Sequence, residues 1–349
     1  MRGCATFSTA QPKVATVGID FGCKNSRVAI TDSLVVGELA KRRRLRMPSD
    51  VVFNIKSLVG MQFDDSYVQE MRKRVQFSII EGPRGEAWLK VVISIPSFFS
   101  DQQREGIKSA GERAGLEVLE IIDEPKAAAL STTTIKDGNV VVFGMGSRSY
   151  SISILHVSET NIKIKAQVGD CSVGGDLFDD ILVDYIVTHV MELYSVDIRG
   201  DKHAMTTLAE AVEEAKVELS SQLEATVSIP YLTSSAQGPI DLHFSISRSQ
   251  FEKLVRNLVE IVEDKCQRIL KESNLSQKDI DEVVLMGGMT RVPKIRSIIE
   301  KIFGKHHSRR VNPEEAAVIG SAIQAALIVE DQREISEETI PLSIGIQSD

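Results

Sequence analysis

The chain has 349 residues, 42% hydrophobic and 26% charged, enough apolar material for two domains or one large lobed domain without disulfide staples. With 41 basic against 49 acidic residues its formal charge is −8, which disfavours general nucleic-acid binding, and no apolar run is long enough to span a bilayer.

Met1 to Pro12 holds one Arg, several Ser and Thr and no acid, so residues 1–13 read as a targeting remnant or a disordered start. Val14 to Ile30 then predicts a strand, a tight segment at Asp20–Asn25 and a second strand. Such a turn can gather backbone N–H groups around a polyphosphate, but it is also an ordinary hairpin. The basic run Lys41–Arg46 is a solvated turn or a local partner patch, and Val51–Phe53 is strand-like. Val68–Phe77 is a short helix or a surface ribbon, and Trp88, with no second aromatic beside it, reads as a core anchor.

Ser100 and Gln103 form a capping-box pattern that opens a helix with Ile107, Ala110 and Ala114 on one face and Gly115 at its stop. Leu116–Ile122 is a strand, and Pro125 suits the first turn of the helix after Asp123-Glu124. A carboxylate there holds a cation's water shell or simply favours the helix dipole. Val140–Leu155 repeats the first device: strand, Gly144-Met145-Gly146, strand. Gly174-Gly175 leads into a helix whose inner side is predicted as Leu177, Ile181, Leu182, Tyr185 and Ile186.

A helix over 207–222 carries a Leu208, Ala211, Ala215, Leu219 stripe, with Glu213 and Lys216 neighbours on one face. Strands at 225–231 and 241–246 are joined by a Gly238-Pro239 turn, and a Ser247/Gln250 box opens one long helix. The strand Glu282–Met286 meets Gly287-Gly288, then a helix from Pro293 to a Gly304 stop; a last helix from Asn312-Pro313 has small residues, Ala316 to Ala325, for close backbone approach. Cys4, Cys23, Cys171 and Cys266 have no metal or disulfide spacing, the six histidines form no zinc motif, and Cys266 reads as a packing residue.

No Walker or dinucleotide fingerprint has its required context. In order, however, GIDFG, SIPSFFSDQQR, AGLEVLEIIDEPKAAAL, the second hairpin, VGGDLFD, EEAKVELS, MGGMTRVPKI and VNPEEAAVIGSAIQ resemble the ATPase domain of the 70-kilodalton heat-shock chaperones, over nearly the whole chain and with the bacterial and mitochondrial branch in particular. The resemblance implies an α/β, actin-like two-lobed ATPase fold, with 14–138 as first lobe, 139–330 as second lobe and 331–349 as polar linker and stub of a peptide-binding domain. It also implies that most of two insertions of the first lobe is absent, one after Pro48-Ser49 and one before Ile95-Pro96. The first would carry a lysine that places the attacking water; Lys56 lies in a different context. The shortened lobe exposes a sheet face or covers it with a partner.

Carried over, the resemblance makes Asp20 and Glu124 the catalytic carboxylates and indirect, water-mediated magnesium sites. Gly22, Cys23, Lys24, Asn25, Gly146, Ser147, Arg148 and Ser149 become phosphate contacts; Gly174, Gly175, Glu213, Lys216, Gly288, Met289, Thr290 and Arg291 form the adenosine side. Where the family reads Asp-Leu-Gly-Gly-Gly-Thr-Phe-Asp this chain reads Gly144-Met145-Gly146-Ser147-Arg148-Ser149-Tyr150-Ser151, so both loop carboxylates are gone. Ser147 and Arg148 would be strained if those positions needed positive φ. Arg148 either grips phosphate or pairs with Asp20 and plugs the cleft. The expectation is ATP or ADP binding with weak or absent Mg2+, impaired hydrolysis, and a structural or regulatory role beside a protein partner, with no peptide groove in this chain; the alternative is an active ATPase module assisting folding or import with another chain. The expected compartment is the mitochondrion, with plastid or cytoplasm as alternatives.

Overall fold

A computed structural model describes residues 17–21, 26–30, 61–74, 79–82, 87–132, 135–158, 161–235 and 238–338. Strands β1 (Val17–Phe21) and β2 (Ser26–Ile30) form the first antiparallel hairpin. β3 (Ile80–Glu81), β4 (Ala87–Ile95) and β5 (Leu116–Asp123) complete a five-stranded sheet in which β4 runs parallel to both β1 and β5. A parallel pair requires a crossover. Helix α2 (Asp101–Arg113) supplies it between β4 and β5, after α1 (Ser66–Arg74) near the start of the described chain.

The second sheet repeats the first hairpin's setting. β6 (Gly138–Met145) and β7 (Tyr150–Val157) are antiparallel, β8 (Ile162–Asp170) follows on β7, and β11 (Glu282–Met286) lies parallel to β6 as β4 does to β1. Val140 to Phe143 are all buried, the continuous apolar run expected of a strand covered on both faces. Val141 and Phe143 share one core cluster with residues of α4 (Gly175–Tyr194), α5 (Lys202–Glu218), α7 (Arg256–Glu272) and α8 (Pro293–Phe303), and Val140 and Val142 pack in another with Ala128, Ala129, Ala316 and Ala317.

Local signals placed most helix ends. Ser100 and Gln103 form the reciprocal box at α2, and Gly115 takes φ +79° after it. Ser247 and Gln250 do the same for α6 (Arg248–Leu254), but Val255 breaks the expected long helix before α7 starts. The expected turn at Gly238-Pro239 is the start of β10 (Gly238–Ser247), which pairs with β9 (Glu224–Ser235). Of the segment Val68–Phe77, residues 68–74 are helical in α1, with Val68 buried, and 75–77 lie outside the described residues.

Two helix faces differ from expectation. On α4 the buried stripe is Phe178, Leu182, Ile186 and Val190, at a spacing of four, while Leu177 and Tyr185 are exposed. Phe178 packs on Phe251 at 6.3 Å between ring centroids, and Tyr185 instead meets Phe244 of β10. On α2, Ala110 and Ala114 face outward, and Gly111 approaches the sheet where a Cβ would lie 2.8 Å from Val118.

The last helix among the described residues, α9 (Ala316–Glu338), ties the sheets together. It crosses α3 (Glu124–Thr132) so closely that a Cβ on Gly320 would sit 1.7 Å from the Ala127 carbonyl oxygen. It also lies on β1, where a Cβ on Gly18 would sit 2.3 Å from the Ala322 nitrogen. The small residues read as a close-approach face serve that purpose. The helix continues to Glu338, so the acidic segment 331–338, expected as linker, is helical. Among the described residues no helix is long and apolar enough to cross a membrane.

Gly22, Cys23, Lys24, Asn25, Cys4, Lys41–Arg46, Val51–Phe53 and Lys56 lie outside the described residues, as does the side chain of Trp88.

Candidate functional site

A cleft of ≈ 750 Å³ opens between the two sheets. Its first wall carries Asp20 at the end of β1 and Glu124 at the start of α3. Asp20 is nearly buried, with the Ser94 hydroxyl of β4 at 3.5 Å. Burial, reinforced by the charges of Asp20 and Asp123, pushes the Glu124 carboxyl up to about 8. Asp123 turns to Arg104 and Lys126.

The second wall is built from glycine contacts. The Gly146 N–H donates to the Ser149 carbonyl at 2.9 Å, closing the turn between β6 and β7. The first N–H groups of α4, on Gly175 and Asp176, donate to the carbonyls of Gly146 and Ser147 at 2.9 and 2.8 Å. A Cβ on Gly174 would stand 2.4 Å from the Ser147 oxygen, so the glycine pair seats the hairpin on the helix end.

Neither Ser147 nor Arg148 has positive φ, so the anticipated strain does not arise. The Arg148 guanidinium donates through Nε to Asp176 at 3.0 Å and is largely exposed. It does not line the cleft or pair with Asp20, which removes the plug reading.

Gly144 and Ser151, the positions at which the family resemblance calls for carboxylates, are register partners and both line the cleft. Flexible side-chain tips stand close to Gly144. A Cβ on Gly144 would lie 2.5 Å from the Met286 Cε and 2.9 Å from the Ser151 Oγ.

On the remaining side, Gly287 takes φ +86° with its Cα hydrogens against the Met145 carbonyl, a conformation and a space that suit glycine alone. Gly288, Met289 and Arg291 line the cleft beside Glu213 and Lys216. Lys216 is buried, donating to Asp179 at 2.5 Å and to the Gly175 carbonyl at 3.2 Å. Arg291 is held by Glu314 at 2.9 Å and Asn312 at 2.8 Å.

The cleft therefore gathers Asp20, Glu124, Gly146, Ser147, Ser149, Gly175, Glu213, Lys216, Gly288, Met289 and Arg291. Arg148, Gly174 and Thr290 stand behind it; the Thr290 hydroxyl donates to the Gly287 carbonyl at 2.7 Å. Reading the sequence missed Phe98, Val217, Ser220, Met286 and Arg296. Val217 and Ser220 fall inside the quoted EEAKVELS motif, so that signal existed; Arg296 sits in the second turn of a plain amphipathic helix and has no local signature.

Paired sheets with duplicated hairpins around one interlobe cleft define an α/β, actin-like nucleotide-binding fold. The family model described as "Hsp70 protein" matches residues 31–91 and 89–349. The mitochondrial 70 kDa heat-shock proteins of Pisum sativum and Solanum tuberosum are each 35% identical over 98% of this chain. The chain spans 60% and 59% of the length of those relatives. It belongs to the Hsp70 family and is of the mitochondrial type, in agreement with the compartment expected from its sequence. Those alignments run over 403 residues, more than the chain contains, and the family match restarts at residue 89, near one of the two places where the sequence reading expects lost insertions.

Proposed function

We propose that the chain is an ADP- or ATP-binding member of its family in which hydrolysis is weak or absent, and that it serves as a structural or regulatory partner to another mitochondrial protein. The observation that carries this reading is the chemistry of the two paired cleft positions, Gly144 and Ser151. The two hairpin positions from which carboxylates would order a magnesium ion's water shell have become a glycine and a serine, with Met286 packed against them.

The residues present fit a nucleotide better than its metal. Backbone turns, Lys216 and Arg291 suit phosphates, ribose and base. Asp20 and Glu124 would hold magnesium through its waters, and the ion would supply charge neutralisation at the phosphates. Glu124 would have to lose a proton that its burial favours keeping. Removing one pre-organised electrostatic group typically costs about 10²–10³ in rate, and here two are replaced.

Calorimetric titration with ADP and ATP, with and without magnesium, combined with single-turnover release of labelled phosphate, tests the reading. Expected are weak binding that depends little on magnesium and no release above background. Turnover at a rate normal for the family and abolished by Asp20→Asn would overturn it in favour of an active ATPase.

A further inference from the structure

Helix α4 has two apolar sides, and the chain itself uses one of them. Phe178, Leu182, Ile186 and Val190 face the core. On the opposite side Leu177, Ile181, Tyr185, Thr188 and Met191 fall at i, i+4, i+8, i+11 and i+14, a single line along a helix. Leu177, Tyr185 and Met191 on this line are exposed, and Leu193 at the helix end is 61% exposed. Phe244 of β10 stands beside the line, its ring 5.9 Å from Tyr185 and 5.0 Å from His189. Exposed apolar residues scattered singly need no explanation, but a helix apolar all round belongs in an interior, so its open side is a surface made to be covered.

The charges beside that line decide what covers it. Across its length α4 carries Asp176, Asp179, Asp180, Asp184 and Glu192 and no Lys or Arg. Asp176 pairs with Arg148 and Asp179 with Lys216. Asp180, Asp184 and Glu192 are exposed on the open side, and no ion pair or hydrogen bond joins their side chains to any described residue. A second copy of the chain is a poor occupant, because a two-fold contact through this face sets acid against acid. Nucleic acid is repelled for the same reason.

We propose that the open face of α4 is a docking surface for a basic amphipathic helix of a partner protein. Tyr and Met are enriched where protein surfaces meet, and an apolar stripe laid on this face would bring its flanking Lys and Arg to Asp180, Asp184 and Glu192. From Leu177 to Tyr194 the face runs about 25 Å, room for a partner helix of four to five turns. The inference rests on the partner role proposed above, adds the surface and the chemistry of the partner, and is independent of what the cleft binds.

The test is fluorescence anisotropy of three labelled peptides of about 18 residues, a length matched to the face. One has Leu at helical spacing flanked by Lys and Arg, one has the same residues scrambled so that no stripe forms, and one has every Lys and Arg changed to Glu. The whole chain is expected to bind the first, and the other two about tenfold more weakly or worse. Met191→Ala should weaken the first about fivefold or more. Asp184→Lys combined with Glu192→Lys should exchange the preference, losing the basic peptide and gaining the acidic one, which a damaged fold does not produce. Glu105→Lys with Glu112→Lys, the same charge change on α2, should leave the basic peptide within about twofold, since distant exposed charges are screened. If the scrambled peptide binds as well as the striped one, or the α2 pair costs as much as the α4 pair, the attraction is to net charge alone and the surface is refuted. A stoichiometric dimer that Met191→Ala opens and the basic peptide does not would make a second copy the occupant and overturn the inference. If no peptide binds, the inference falls; a chain that still captures mitochondrial proteins then keeps the partner role without this surface, and one that captures none loses both.

Discussion

Glu124 shows what burial does to a single carboxyl. Its folded-state value, about 8, lies above the ordinary 4.5, so between these limits the native protein holds a proton that the unfolded chain releases. The stability this contributes is fully present below about pH 4.5 and is lost as pH rises toward 8, with a slope of up to about 1.4 kcal/mol per pH unit. Urea denaturation from pH 5 to 8.5 should show that decline, and Glu124→Gln should flatten it. Lys216 forms a buried ion pair with Asp179. Lys216→Met leaves Asp179 in the interior without its ammonium and should cost about 3–5 kcal/mol, much of it recovered by adding Asp179→Leu. At this scale the sequence was half legible. The family resemblance pointed to Asp20 and Glu124, and both line the cleft, at a strand end and a helix start. The Lys216–Asp179 and Arg148–Asp176 pairs were not legible, because each joins side chains 37 and 28 residues apart, respectively.

The same division holds for whole elements. Capping boxes at Ser100 and Ser247, the glycine stops and the β11–Pro293 junction were legible, since each rests on hydrogen bonds within one turn. The buried face of α4 was misread because that helix is apolar on more than one side, and only its aromatic neighbours decide which side is inside. Glycines give a sharp comparison between two helices. Gly106 in α2 has open space around it, so Gly106→Ala should stabilise by about 0.5–1 kcal/mol through helix propensity. Gly320→Ala in α9 would drive a methyl into the backbone of α3 and should cost about 3 kcal/mol or more. Thermal unfolding of the two variants in parallel measures both signs.

For the whole molecule, the duplicated hairpin was visible in the sequence as two Gly-x-Gly segments between alternating strands, and the structure shows each with a parallel strand on its first member. How those halves meet depends on helix crossings of which the sequence showed only the small-residue face of α9, not the surfaces it would approach. Met191, Leu193 and Tyr194, grouped at the end of α4, are all exposed, which supports a protein partner. Size-exclusion chromatography with light scattering should therefore find the isolated chain in oligomers or soluble aggregates; a well-behaved monomer that unfolds cooperatively would count against the partner role.

Because Gly18 is covered by residues 318–322, a strand that leaves the ribosome early is finished by a helix made about 300 residues later. Synthesis at about 5–20 residues per second leaves the face of β1 bare for the time needed to make some 300 residues, roughly 15–60 seconds. Its hairpin can form early, yet the native covering of its sheet cannot. A nascent chain arrested before Ala316 should thus remain protease-sensitive around Val17–Phe21 whatever the state of the second sheet, and protection there should appear only when the α9 segment has emerged.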